Sequence, residues 1–244
     1  MVELVESPDS VLVEDAKKEH LAMRVYFRDV ILGTNDGLVS IFALVLGVAG
    51  GGLSLLDIFL AGLAGTVAGA ISMALGEYLS TKSQEEVFDS EKNLERLHIK
   101  FDFEREKQEL YEIYREKGLD GDLLHDVVNR ISTNEEVMLN EMMINEFGVL
   151  EEERRSPYIA STLSGLSFTL GAIPAFLPFL FVSSIMAGVI FAGIFTCLAL
   201  FIVGYTKGYL TRMNRLFLGA ETLILGVLAG IITYAIGFVV GVAV

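Results

Sequence analysis

Residues 33–47 read GTNDGLVSIFALVLG, a run of small and apolar residues with an amide and an acid, Asn35 and Asp36, at its start. The stretch belongs to a longer segment, 37–56, that carries no charged residue. Three further segments share that property: 58–76, 156–206 and 222–244. A bilayer core takes about 20 apolar residues per helix. Each of 37–56, 58–76 and 222–244 therefore fits one span, and 156–206 is long enough for two with a break near Val182-Ser183-Ser184. The pattern predicts an all-α polytopic membrane protein with five transmembrane helices, at roughly 33–54, 57–80, 158–181, 185–206 and 218–242.

Composition supports this division. The 244 residues are 52% hydrophobic with a mean hydropathy of +0.54, yet the formal charge is −14. High hydropathy and a large acidic excess belong to different parts of the chain: residues 81–156 hold 21 acids and 11 bases. All 18 Lys and Arg residues fall in 17–28, 82–155 and 207–215, and five spans put those three segments on one side. The positive-inside rule makes that side cytoplasmic. The first thirty residues are charged throughout and show no secretory signal. One cysteine, Cys197, excludes a disulfide framework within the chain, and without tryptophan any aromatic belt falls to Tyr and Phe. The expected organisation is a cytoplasmic N-terminal segment (1–32), helices one and two (33–80), a cytoplasmic helical domain (81–157) and helices three to five (158–244). Within 1–32, the amphipathic stretch 14–30 places Arg24 and Arg28 one turn apart, either on a membrane surface or over a dimer.

The middle segment reads as helices at 82–117, with a possible break near Phe101–Phe103, at 121–131 and at 134–147. The first continues the second span, and Thr133 with Glu136 reads as a capping box before the third. Its charges suit a solvated surface, but their spacing is orderly. Glu95 and His98 stand three apart, and Glu106, Glu109 and Glu112 continue at threes. Met142 and Glu146 stand four apart with Met143 adjacent, so each group lines one helix face. Carboxylates stacked on one face repel unless a cation lies between them. Oxygen ligands joined by one imidazole and a thioether suit Fe²⁺, Mn²⁺ or Co²⁺. A di-iron oxidase needs a second Glu-x-x-His pair, which the sequence lacks. Nothing else points to an enzyme or to a resident cofactor.

Acids within or beside the spans are Asp36, Glu77 and Glu221. Such residues mark functional sites by default. Met73 and Glu77 share a face of the second helix with Gly65 and Gly69, a stripe of small residues that permits close approach. Asp36, Met73 and Glu77 together would make a membrane-depth cation site. Capping of a helix start is the alternative for Asp36, core filling for Met73, and a surface ion pair with Arg212 or Arg215 for Glu221. Pro174 and Pro178 bend the third span or border a path.

RDVILGTNDGL (28–38), GAISMALGEYLSTKSQ (69–84), MMINE (142–146), GAIPAFLP (171–178) and TYAIG (233–237), in this order, resemble the vacuolar iron transporter family. The resemblance covers nearly the whole chain beyond about residue 20. It implies a five-helix homodimer in the lipid bilayer that moves Fe²⁺, or Mn²⁺ and similar ions, out of the cytosol in exchange for protons. It also implies metal contact by Asp36 and Met73, and a cytoplasmic metal-binding module with Glu95, His98, Glu106, Glu109, Met142 and Glu146. Glu112 and Met143 are neighbours able to substitute, and Glu77 is a candidate proton carrier. Two positions depart from the plant-type pattern. Gly65 stands where an acid is expected, and His98 where a glutamate is expected, which bears on ion preference. The expected membrane is the plasma membrane in a prokaryote or the vacuolar membrane in a eukaryote. The alternative is a membrane-anchored protein whose cytoplasmic bundle senses or stores metal without transport. No feature points to nucleic acid.

Overall fold

The computed structural model describes residues 8–148 and 154–243, with side chains from residue 26 in the first helix. The Arg24 part of the amphipathic reading lies outside the described side chains. The described residues form helices and turns, with no strand among them. In order these are α1 (Pro8–Gly50), α2 (Leu55–Phe101), α3 (Phe103–Glu116), α4 (Gly121–Ser132), α5 (Glu135–Met142), α6 (Pro157–Phe176), α7 (Ile185–Thr211) and α8 (Arg215–Ala243). A π-helical turn, Met143–Phe147, follows α5, and a 3₁₀ turn, Leu177–Leu180, follows α6. Five helices are long and apolar enough to cross a membrane: α1 from Tyr26, α2, α6 with its 3₁₀ turn, α7 and α8.

The chain divides into two compact units, one up to Ser80 and from Ser156 onward, the other Thr81–Arg155. In the first, α1 packs along α6 and α8, and α7 packs along α8. Phe42, Val45, Phe168, Ala172 and Phe176 are among the buried side chains of its core. Outward residues such as Leu60, Val67, Ile190 and Val239 are exposed and apolar, a surface that lipid rather than water solvates. The second unit has its own core, in which Leu110, Val128, Met138, Leu139 and Met142 are fully buried.

Local chemistry accounts for the breaks. Between α1 and α2, Gly52 takes a positive φ of 78°, and Ser54 and Asp57 cap each other. The Ser54 amide donates to the Asp57 carboxylate, and the Asp57 amide donates to the Ser54 hydroxyl, both at 3.3 Å. Asp57, the one charge between spans one and two, is a capping residue. Pro157 opens α6 where a missing N–H costs nothing. Ser184 accepts from the Ala187 amide at 3.2 Å and starts α7, which explains the break expected at 182–184.

Two expectations need correction. The first span was expected to start near residue 33, but α1 runs unbroken from Pro8 through Asn35 and Asp36. The capping box assigned to Thr133 is also absent. Asn134 caps α5 by accepting from the Glu136 and Val137 amides, while Thr133 Oγ1 donates back to the Asn129 carbonyl at 2.7 Å. The adjacent amide side chain fits the first-turn donors better than the hydroxyl, which is drawn back into α4.

The α1–α6 pair depends on missing side chains. A Cβ at Gly37 would strike the Phe168 carbonyl of α6. Gly37→Ala therefore forces two backbones apart, costing about 1–3 kcal/mol. In detergent it is expected to lower the melting temperature by several degrees. Gly193→Ala, on α7 with nothing nearby, should leave it unchanged or raise it. Equal melting temperatures for the two variants would contradict this packing.

Candidate metal sites

The first site lies in the membrane unit. A cavity of about 360 Å³ is lined by Asp36, Ser40, Ile41 and Leu44 of α1, Gly65, Gly69, Ser72 and Met73 of α2, and Phe168 of α6. Asp36 and Met73, picked out in the sequence for different reasons, thus border one space. Capping is excluded for Asp36, because it lies well inside α1 rather than at its end. Its carboxylate Oδ1 accepts from Ser40 Oγ at 2.7 Å, one helical turn on, leaving the other oxygen for a ligand. A charged oxygen and a thioether facing one cavity offer a transition metal a hard and a soft donor, a combination Mg²⁺ and Ca²⁺ do not favour. Gly65 forms part of the wall, so an acid at that position would project toward the same space. Glu77, one turn beyond Met73, is half-buried, holds an interaction of its own and does not line this cavity.

The second site lies in the unit Thr81–Arg155. Its first donors come from the end of α2, a helix of 47 residues, about 70 Å at 1.5 Å per residue. The charge-free run within α2 ends at Gly76, and Glu95 and His98 follow it in the chain. The chain breaks at Asp102 and turns into α3, which carries Glu106 and Glu109. Glu95, His98 and Glu106 offer ligand atoms within 4.8 Å of one another, as do Glu106, Glu109 and Glu146. His98 Nδ1 stands 3.7 Å from a Glu95 oxygen and 3.8 Å from a Glu106 oxygen. Octahedral ligands at about 2.1 Å from an ion lie about 3 Å apart, so a modest contraction would close the first group on a metal. Glu106 belongs to both groups and is positioned to bridge them.

Glu146 enters through the π-helical turn, a feature that inserts a residue into the helical ladder and often marks functional sites. Sequence spacing carries no signal for that turn. Met142 and Met143 are buried in the core beneath, among Leu110, Val128 and Met138. Glu112 is exposed and joins neither carboxylate group.

Electrostatics distinguish these acids from surface charge. Glu95 is only 3% exposed, and its Oε1 has no hydrogen-bond partner. Burial first, then the charges of Glu146, Glu106 and Glu109 and a hydrogen bond with Glu106, push its pKa up to about 8. Glu146 is raised for the same reasons, burial leading, then Glu109 and Glu106, with His98 acting in the opposite direction. Both shifts favour the protonated form over the charged one.

Sequence reasoning did not pair Ser40 with Asp36, although the spacing of four was visible. It also placed Glu221 near Arg212 and Arg215. Among the described residues Glu221 forms no ion pair, and Arg215 stacks on the Tyr209 ring at 4.7 Å. Glu221 instead borders a second membrane-unit cavity that also reaches Asp36.

A pH dependence follows for the second site. Between about pH 4.5 and about 8, folded Glu95 holds a proton that the unfolded chain releases. The metal-free protein should therefore lose stability as pH rises through that window, and bound metal should restore it. Because metal must displace the proton, Co²⁺ affinity should rise by up to about tenfold per pH unit within the window and level off as pH approaches about 8. Calorimetric titration should show this slope, and Glu95→Gln should flatten it. An affinity independent of pH would contradict the assignment.

The VIT family model matches residues 27–238. "Vacuolar iron transporter 1" of Arabidopsis thaliana is 31% identical over 236 residues, covering 97% of this chain and 94% of the relative. The protein of the same name from Tulipa gesneriana is 33% identical, covering 92% and 91%. That from Oryza sativa subsp. japonica is 34% identical, covering 89% and 86%. The match takes in all five apolar helices and both candidate sites. This chain is an integral membrane protein that belongs to the VIT family.

Proposed function

We propose that this protein exports Fe²⁺, and to a lesser degree Mn²⁺ and similar divalent ions, from the cytosol in exchange for protons. The observation that carries the reading is the cavity that Asp36 and Met73 both line, which brings a carboxylate and a thioether to one space within the membrane unit. The printed names of the relatives support iron as the cargo. The distribution of Lys and Arg supports a cytosolic N-terminus and a cytosolic helical unit, 81–157, between spans two and three.

In this reading the cytosolic unit gathers metal on Glu95, His98, Glu106, Glu109 and Glu146, with Met142 and Met143 as the supporting thioethers. The ion then occupies Asp36 and Met73 on its way out. Carboxylates bind metal only when deprotonated, so loading from one side and proton uptake from the other exchange the two cations on the same oxygens. Glu77 carries protons beside that path. His98 inclines the cytosolic unit toward Co²⁺ and Zn²⁺ more than an all-carboxylate set would.

The working form is a homodimer. Asp36 is exposed in the single chain, and a carboxylate left toward lipid is costly. A second copy closing over the cavity removes that cost and encloses the path. The membrane is the plasma membrane in a prokaryote and the vacuolar membrane in a eukaryote. No resident cofactor and no chemical conversion enter the mechanism. A metal-sensing or storage protein is less well supported, because it gives the Asp36–Met73 cavity nothing to do.

Fe²⁺ uptake into proteoliposomes under an imposed proton gradient tests the reading. Wild-type protein should accumulate metal and move protons oppositely. Asp36→Ala should fall at least about tenfold, toward empty-vesicle background, while remaining monodisperse. Metal binding without flux in the wild type would favour the sensor. Flux in Asp36→Ala equal to wild type would remove Asp36 from the path.

A further inference from the structure

Asp36 also borders a cavity of about 660 Å³ on the α7–α8 side of α1. Four charged residues converge there: Arg28 and Asp36 of α1, Lys207 of α7 and Glu221 of α8. Among the described residues, the side chains of Arg28, Lys207 and Glu221 form no ion pair or hydrogen bond, and Asp36 has only the Ser40 hydroxyl. Charges at a membrane unit are costly to leave unpaired, so groups held around one cavity are poised to exchange partners.

Lys207 is the cation suited to reach Asp36. It ends a charge-free run from residue 156 and enters the cavity from a helix packed against α1. Arg28 stands eight residues before Asp36 on the same helix, about 12 Å along the axis, beyond the reach of an ion pair made along a helix face. Lysine presents a compact ammonium on a flexible four-carbon stem, which can change partners as a planar guanidinium does less readily. Glu221 offers that ammonium a second acceptor in the same cavity.

We propose that Lys207 is a tethered cation that replaces the metal at Asp36. Metal approaches the carboxylate from the Met73 cavity, and the Lys207 ammonium from the α7–α8 cavity. Glu221 holds the ammonium while metal is bound. The exchange spares the protein an uncompensated Asp36 after metal leaves and makes departure faster. The inference rests on the reading of Asp36 as a metal ligand, and Lys207 acts through Asp36 as a positioning residue.

Two cations competing for one carboxylate leave opposite signatures when each arm is altered. In proteoliposome Fe²⁺ flux, Lys207→Gln should lower KM about threefold, the worth of a partly exposed ion pair, and lower the maximal rate because metal leaves more slowly. Lys207→Arg keeps the charge and should hold KM within about twofold of wild type. Glu221→Gln frees the ammonium for Asp36 and should raise KM. A purely structural role would lower rates without these opposed KM shifts. Lys207→Gln with unchanged or raised KM overturns the proposal. If that variant does not fold, Glu221→Gln with unchanged or lowered KM overturns it instead. Asp36→Asn run alongside separates the failures. If it transports like wild type, the underlying reading of Asp36 falls and the proposal with it. If it is inactive while KM does not shift in the other variants, the proposal alone falls.

Discussion

Carboxylates crowded together repel one another until a cation joins them, and this chain gathers such a group in its helical unit and sets a single acid, Asp36, within its membrane unit. In the helical unit between spans two and three, Glu95 is buried beside Glu106, with Glu109 and Glu146 close enough to hold its proton on. In the membrane unit, Asp36 sits inside a long helix with one hydroxyl for company. Neither arrangement adds stability to an empty protein. In the proposed function a divalent cation supplies the missing charge at both, and at Glu95 it competes with the proton that burial and neighbouring acids favour.

The packing serves the same end. Glycines at 37 and 69 bring α1, α2 and α6 into contact where side chains would hold them apart. Gly65 and Gly69 line the same cavity as Asp36 and Met73 without adding a side chain of their own. A soft donor on one helix and a hard donor on another line the same cavity, whose α2 side includes Gly65, Gly69 and Ser72. Asp36 also faces the α7–α8 cavity, so one carboxylate stands between two spaces lined by different helices. That position is the basis of the proposed exchange of metal for the Lys207 ammonium.

The five apolar helices were legible because charge is a strong signal in a membrane protein, and four uncharged runs spoke for themselves. The break near residues 182–184 was legible too, since serine is a good helix cap. Asp36 was ambiguous for a physical reason: Asn35-Asp36 has the chemistry of a helix start, and only the turns preceding it, which continue α1, remove that reading. Thr133 misled for a similar reason, because Asn134 beside it is an equally good cap. The carboxylate groups at Glu95–His98 and Glu106–Glu109 were visible as spacing. Their joining with Glu146 was not, because it depends on a π-helical turn and on the break at Asp102, neither of which has a dependable signature. The convergence of Lys207 and Glu221 on Asp36 depends on three helices distant in sequence, and no local pattern could carry it.

The central claim is that metal sits on Asp36 and Met73 inside the membrane unit. Anomalous diffraction from crystals of the full-length protein grown with Co²⁺ tests it most directly. The account predicts a peak in the α1–α2 cavity within ligand distance of the Asp36 carboxylate and the Met73 sulfur, lost in Asp36→Ala crystals. Peaks confined to the Glu95–Glu146 region, with that cavity empty at saturating Co²⁺, would contradict it.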